Sequence, residues 1–490
     1  MTMKSPGPID PKFTGRNIVI LADGTGQRGG LLFDERRSNI YKLYRATRCG
    51  PDSCVDANRQ SAFYDPGLGT LPGGIDSPAA LARSAYNLAS QATGMGITRN
   101  IIDCYAEIIR VWKPGDRIFL FGFSRGAYTV RCLGGVLRLC GVPMQGSNGA
   151  PFRRDPKTIR RLARDGVRIY NYTNSRPADA RTPRQDELLR QRSMLAADFR
   201  RRHACDGVNG GNARPYFIGV FDTVASLSNP VAIFLFAALL AFGLTALSGL
   251  LHWLTGGFWW WLLLLSGASA AIAALVNVAT RLRWTTRLAD VPWLRTIHLT
   301  TARMKMYDTD LDNEVRFARH AIAIDERRAS FERVPWGTPD QSKPGTPVWF
   351  EQMWFAGDHA DIGGGYAEDE SRLSDIALQW MVNAASEVGL SFDPDVLRCY
   401  PEATAMQHDE AKSSIFRFAK TKVRAPLPNA PLHPTVLDRF AASEVLQYDI
   451  LAPYRPEGLR FHQEVSRYYD KEARGKADPR AARGNSSKGL

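Results

Sequence analysis

Cysteine is scarce in this 490-residue sequence, and what there is does not pair by pattern. The seven cysteines (Cys49, Cys54, Cys104, Cys132, Cys140, Cys205 and Cys399) are odd in number and never spaced C-x-x-C. That speaks against a disulfide framework or a structural zinc site and fits a reducing compartment. The N-terminus, MTMKSPGPIDPKFTG, lacks the apolar stretch of a secretory signal, so Sec-type export of the globular part is not expected. Internal repeats are missing. Hydrophobic residues at 44% and charged residues at 23% are ordinary globular values, which excludes disordered, collagen-like and disulfide-scaffold classes. Acidic residues are outnumbered: 63 Lys and Arg against 49 Asp and Glu leave +14. Such a balance calls for an anionic partner, and charge alone does not choose among nucleic acid, a phospholipid surface and an acidic substrate.

The most telling absence is local. From Thr223 to Arg281 no Asp, Glu, Lys or Arg occurs before the final residue. Two apolar runs, Val231–Leu251 and Phe258–Val278, are 21 residues each, close to the ~20 that cross about 30 Å of hydrocarbon. His252–Gly257 separates them as a turn. A buried hairpin in a soluble core would keep a polar face, and neither run has one. Trp253, Trp259, Trp260 and Trp261 cluster at the turn and Trp284 follows the second run, as interfacial anchors do. Arg281, Arg283, Arg287 and Arg295 follow the hairpin while its turn is uncharged, so both long flanks are expected in the cytoplasm.

Outside the hairpin, apolar runs at Asn17–Ala22, Ser61–Tyr64, Arg117–Phe121, Tyr216–Phe221, Ala321–Ile324 and Val348–Phe355 read as strands. Helical spacing covers Ile97–Trp112 and Ser124–Leu139, and Ser38 reads as a helix cap. This alternation predicts an α/β fold with a mainly parallel sheet and helices on both faces. Between Phe152 and Arg202 there are 15 Arg or Lys against six Asp or Glu, a solvated helical face or a surface turned toward a membrane. The expected division is 16–228 as the first part of the domain with a basic insertion at 152–202, 229–280 as the transmembrane hairpin, 281–470 as the second part, and 471–490 as a disordered basic tail.

Chemistry concentrates where strands end. Gly122-Phe123-Ser124-Arg125-Gly126 is G-x-S-x-G between an apolar strand and a helix, the setting of a nucleophile elbow. The turn strains the serine, and side chains in place of the flanking glycines would collide with the neighbouring strand and helix. A serine nucleophile needs a histidine base and an orienting acid, here in the order Ser, acid, His. His359 is the one histidine on a Gly-rich loop at a strand's carboxyl end. For the acid, strand order leaves both Asp222 and Asp325 open. Asp358, His359 and Asp361 as metal ligands lack a second histidine or a distal carboxylate, so no metal and no cofactor are expected. Gly24, Gly26 and Gly29 spell G-x-G-x-x-G, yet positions 40–50 hold no acid for a dinucleotide ribose.

Seven segments in order carry a resemblance. They are Asp23-Gly24-Thr25-Gly26, Tyr64–Thr70, Pro114-Gly115-Asp116, Gly122–Tyr128, Phe221-Asp222-Thr223-Val224, Ala323–Arg328 and Gly357–Tyr366. Together they resemble the uncharacterised α/β-hydrolase domain family that includes type VI secretion phospholipase effectors, over about residues 16–375 without the basic stretch and the hairpin. The resemblance implies an α/β-hydrolase-like fold and a triad of Ser124, Asp222 and His359, favouring Asp222 over Asp325. It also implies metal-free hydrolysis of glycerophospholipid esters. The oxyanion is expected on the Arg125 amide and, by loop position, the Gly24 or Thr25 amide. The expected protein is a serine esterase or phospholipase in a bacterial inner membrane, its catalytic domain cytoplasmic. Its partners would be the phospholipid bilayer and a lipid ester, with no nucleic acid. The alternative is a catalytically silent, membrane-anchored scaffold on a hydrolase shell.

Overall fold

A computed structural model of the chain describes residues 14–24, 36–67, 96–174, 181–224, 230–300, 311–337, 347–412 and 420–469. The expected tail at 471–490, Thr25, Gly26 and Gly29 lie outside the described residues. Six strands form one sheet: β1 (Asn17–Ala22), β2 (Gln60–Asp65), β3 (Arg117–Phe123), β4 (Pro215–Phe221), β5 (Phe317–Ala323) and β6 (Phe350–Phe355). Their spatial order is β6-β5-β4-β3-β1-β2, and every pairing is parallel. From β1 the chain steps outward to β2, returns across β1 to β3, and then moves outward the other way. That reversal is a topological switch point between β1 and β3, and open α/β sheets bind ligands beyond the carboxyl ends of the strands at such a point.

Helices longer than two turns are α1 (Asn39–Thr47), α2 (Gly96–Val111), α3 (Arg125–Cys140), α4 (Pro156–Tyr170), α5 (Pro183–His203), α6 (Pro230–Thr255), α7 (Phe258–Arg281), α8 (Arg372–Glu387) and α9 (Pro434–Ala441). Strand side chains alternate between two cores, as the pleat requires. Ile18, Ile20, Ile118, Leu120, Ile218 and Val220 pack under α2 and α3 on one face. Val19, Leu21, Phe119, Phe121, Phe217 and Phe221 pack under α1 and α8 on the other. Because both faces are covered, the strands read as unbroken apolar runs. Ser38 caps α1 by accepting the Tyr41 amide at 3.1 Å. The C-terminal segment covers the β6 edge: His433 donates its amide to Trp354, and Val436 and Phe440 of α9 pack with Ile322 and Trp354.

The basic insertion is two helices, α4 and α5, each capped at its N-terminus by Asp155 or Thr182. Arg153, Arg154, Lys157, Arg161, Arg164 and Arg168 are exposed, while Ile159, Leu162, Val167 and Ile169 face inward. The hairpin is also helical as expected, but its turn is shorter. α6 continues through Thr255, leaving Gly256 (φ 73°) and Gly257 (φ 77°) to reverse the chain, because glycine enters the left-handed region without a Cβ penalty. The segment after α7 docks on the basic helices. Leu288 joins the cluster of Ile169, Leu188 and Leu195, the Tyr172 hydroxyl donates to the Thr296 carbonyl at 3.3 Å, and Arg184 donates to the Arg295 carbonyl at 2.6 Å.

α3 lies so close to the sheet that glycine is required at its start. A Cβ on Gly126 would sit 1.9 Å from the Ala22 carbonyl oxygen, whereas one on Gly134 would meet the Ile218 side chain at an ordinary 3.5 Å. Gly126→Ala is therefore expected to cost about 3 kcal/mol or more, by displacing β1 from α3. Gly134→Ala should stabilise by roughly 0.5–1 kcal/mol through helix propensity. Urea unfolding of the two variants checks this, and equal effects would contradict the packing described.

Candidate active site

Ser124 stands between β3 and α3 with φ 57° and ψ −118°, a strained conformation for a residue with a side chain. The neighbours enforce it. A Cβ on Gly122 would lie 2.5 Å from the Gly126 carbonyl oxygen, so only glycine lets strand and helix meet on either side of the serine. The Ser124 amide donates to the Phe221 carbonyl at 3.1 Å, which ties the turn to the end of β4. The first residue after β4 is Asp222, also at positive φ (37°) and completely buried.

His359 opens the one-turn helix His359–Gly363 in the loop after β6, and Asp358 caps that turn in a reciprocal box with Asp361. Its ring packs on Phe123 at 4.7 Å and edge-on to Phe331 at 5.0 Å between centroids. A Cβ on Gly363 would fall 1.9 Å from the Phe123 ring, so this turn rests directly on the residue preceding Ser124. His359 Nδ1 and Asp222 Oδ2 are 2.5 Å apart. Donation from Nδ1–H fixes the tautomer in which Nε2 carries the free lone pair. Nε2 is enclosed and makes no hydrogen bond among the described residues. The structure thus brings Asp222 onto His359, whose ring packs on the residue before Ser124, and no hydrogen bond joins His359 Nε2 to Ser124 among the described residues.

Asp325, the other acid left open by strand order, does different work. Its Oδ2 accepts the Gly357 amide and the Tyr454 hydroxyl, both at 2.7 Å, bracing the loop that leads to His359. Burial pushes the Asp325 carboxyl up to about 6 against those two hydrogen bonds. Beneath His359, Asp361 accepts the His408 amide at 2.9 Å and His408 Nδ1–H at 2.8 Å, and His408 stacks on Tyr366 at 3.5 Å. The suggested metal cluster of Asp358, His359 and Asp361 is therefore committed to helix capping and ring orientation.

Of the expected oxyanion donors, Arg125 is the first residue of α3, where helical amides have no intrahelical acceptor. Gly24 lies against the serine, a Cβ there falling 3.4 Å from Ser124 Cβ, but its amide donates to Asp23 Oδ1 at 2.7 Å. Asp23 also accepts from Ser38 at 2.5 Å and Tyr64 at 2.7 Å. Burial raises it to about 6 in spite of these bonds.

Arg424 has no counterpart in the sequence reading. It binds Asp222 with both ends of its fork, Nη1 to Oδ1 at 2.6 Å and Nη2 to Oδ2 at 3.1 Å, and donates also to the Ala323 and Phe331 carbonyls. Burial alone would raise the Asp222 carboxyl. Arg424 and then His359 outweigh it and hold the carboxyl far below the usual carboxylate range. Arg424 lies 202 positions from Asp222 in a segment with no recognisable motif, so only the fold reveals the pair.

The family profile described as "T6SS, Phospholipase effector Tle1-like, catalytic domain" matches residues 16–255 and 271–384 of this chain. Among curated proteins, Uncharacterized protein YEL023C of Saccharomyces cerevisiae is 26% identical over 231 residues, 46% of this chain and 29% of that protein. The chain thus spans less than a third of that relative's length. Among solved structures, an uncharacterized protein from Pseudomonas aeruginosa aligns with 78% of this chain and 47% of its own, at 17% identity and a TM-score of 0.33. The Tle1 effector bound to the VgrG spike from the type VI secretion system aligns with 76% and 54%, at 16% identity and a TM-score of 0.27.

Removing Arg424 leaves a buried carboxylate with only the neutral imidazole and the Ala323 amide as donors. Arg424→Met is expected to destabilise by about 3–5 kcal/mol, and Asp222→Asn in the same chain to recover part of that loss. A double-mutant cycle by urea denaturation checks it, and additive losses would contradict the pairing. Asp325 carries the opposite sign. Its folded value of about 6 exceeds the unfolded one of about 3.9, so the folded state holds the extra proton between them. Its contribution to stability is full below about pH 4 and is lost as pH rises through about 6. Asp325→Asn should flatten that part of the stability–pH curve, and an unaltered curve would assign the slope elsewhere.

Proposed function

The chain belongs to the Tle1-like phospholipase effector family of the type VI secretion system, and we propose that it is a membrane-anchored serine esterase of the α/β-hydrolase type that cleaves carboxylic ester bonds of glycerophospholipids. The observation that carries the reading is the strained Ser124 elbow beside an imidazole whose Nδ1 is bound to a buried carboxylate. In the proposed reaction His359 Nε2 takes the Ser124 hydroxyl proton as Oγ attacks the acyl carbonyl. Asp222 holds the tautomer and stabilises the imidazolium that forms. The positive end of α3 and the Arg125 amide face the developing oxyanion. His359 then returns the proton to the departing lysolipid alcohol, leaving an acyl-serine. Water attacks this ester with His359 again as base, and the fatty acid leaves with Ser124 restored.

Anchoring is supported by the hairpin's surface. The apolar helical stretches Ala237–Thr255 and Phe258–Arg281 are 6% and 0% buried, an arrangement that water does not tolerate over so large an apolar surface. Trp253, Trp259 and Trp260 are exposed near the turn, and Trp284 and Trp293 are exposed beyond α7. The arginines after α7 and the attached basic helices support a catalytic part on the cytoplasmic side of a bacterial inner membrane, by the positive-inside rule. Each would add up to about 1 kcal/mol of attraction to an anionic leaflet. Asp222 and Pro230 stand eight positions apart, a reach of at most about 27 Å, so the site lies close to the bilayer that holds its substrate.

Two outcomes are expected. On phospholipid vesicles, followed by mass spectrometry of the released fatty acids and lysolipids, Ser124→Ala and His359→Ala should each lose on the order of 10⁴-fold in rate. Asp222→Asn should lose most activity and Asp325→Asn much less, and the reverse ranking of the two acids would refute the assignment. Replacing 231–278 by a short Gly/Ser linker should spare hydrolysis of a soluble short-chain ester while removing most activity on vesicles. Equal vesicle activity would remove the membrane from the account.

A further inference from the structure

Arg125 is placed where its charge meets no opposite charge among the described residues. It is the residue after Ser124, 9% exposed, at the first position of α3. A cation there opposes the helix dipole, whose positive end is the N-terminus, and the first turn holds no acidic residue. Nη1 is enclosed without a hydrogen-bond partner, and no carboxylate forms an ion pair with Arg125 among the described residues. Burial alone lowers its guanidinium, to about 10, with no opposing charge to restore it. Two other arginines at this end of the molecule are ion-paired: Arg424 holds Asp222, and Arg328 holds Glu326 at 2.6 Å. A buried charge without a partner is among the costliest features a fold can carry, so it persists where something outside the chain supplies the counter-charge.

The geometry points to the Arg125 side chain as the subsite for the phosphate of the lipid substrate, a phosphodiester anion held by the guanidinium while Ser124 attacks the acyl carbonyl of the same molecule. This inference rests on the esterase reading above. Adjacent Cα atoms are about 3.8 Å apart, and the arginine stem carries the guanidinium a few bonds further. Glycerol separates an acyl carbonyl from the phosphate by a similar few bonds, so both groups of one lipid can be met at once. The planar fork matches phosphate oxygens bidentately, and the α3 dipole that disfavours the arginine favours the anion it would bind. Binding energy on the phosphate would then position the ester, separating phospholipid from neutral glyceride by a group remote from the bond cleaved.

The test uses the full-length chain as wild type, Arg125→Met and Arg125→Lys, on dioctanoyl phosphatidylglycerol and on dioctanoylglycerol, which has the same esters without phosphate. The ratio of kcat/KM on the phospholipid to that on the glyceride is expected to fall on the order of 100-fold in Arg125→Met, with part of it restored in Arg125→Lys. The ligand-free thermal midpoint should rise in Arg125→Met, since an unpaired buried charge has been removed, whereas an arginine with a structural role would make it fall. Inorganic phosphate should raise the wild-type midpoint and not that of Arg125→Met. Rates on both substrates falling in step, or an unchanged ratio, would overturn the proposal. A phosphate-dependent midpoint with an unchanged ratio would overturn the lipid assignment in favour of a free-phosphate site. If the wild type cleaved neither lipid, the esterase reading would fail, and the phosphate-dependent midpoints would still decide whether Arg125 binds an anion.

Discussion

One buried carboxylate organises this end of the molecule. Asp222 has no exposure to solvent, yet it is bound by an imidazole from the loop after β6 and a guanidinium from the C-terminal segment. Each of its oxygens is spoken for, and its amide and Oδ1 are also bonded to β5 through the Ala321 carbonyl and the Ala323 amide. A charge in that position is tolerated only while both cations or donors remain in place. The carboxylate therefore ties together three segments far apart in sequence. If the histidine it orients turned away, Oδ2 would keep only the 3.1 Å bond from Arg424.

The serine side of the site depends on sterics rather than charge. Gly122 and Gly126 let β3, α3 and β1 approach within contact distances that any Cβ would break, and the strain at Ser124 follows from that closeness. Phe123 links the two halves, since its ring carries both the His359 ring and the turn at Gly363. The network of Asp358, Asp361, His408 and Tyr366 below it fixes that turn through hydrogen bonds that are themselves mostly buried. Strain on one side and a satisfied polar network on the other hold Ser124 and His359 in fixed positions at the strand ends.

The sheet and the helical hairpin were legible in the sequence because both leave long compositional traces: apolar runs for strands covered on both faces, and 21-residue charge-free runs for the two apolar helices. The strained turn at Ser124 was legible from two glycines whose spacing has a steric cause. Between the two candidate acids the residues themselves did not choose. Asp222 and Asp325 end adjacent strands, β4 and β5, and only three-dimensional contacts separate the one on His359 from the one bracing Gly357. Arg424 was invisible because an arginine far along the chain carries no sign of what it will meet. Arg125 was visible only as a backbone amide, since the isolation of its side chain is a property of the folded surroundings.

The central claim is that Ser124 is a nucleophile activated by the His359–Asp222 pair, and its most direct measurement is covalent. The purified chain is treated with a fluorophosphonate probe, and the adduct is located by peptide mass spectrometry in the wild type, Ser124→Ala and Asp222→Asn. The account expects one adduct per chain on Ser124, none on that peptide in Ser124→Ala, and labelling slowed by orders of magnitude in Asp222→Asn. No adduct on the wild type, or labelling of Ser124 at the same rate without the Asp222 carboxylate, would contradict it.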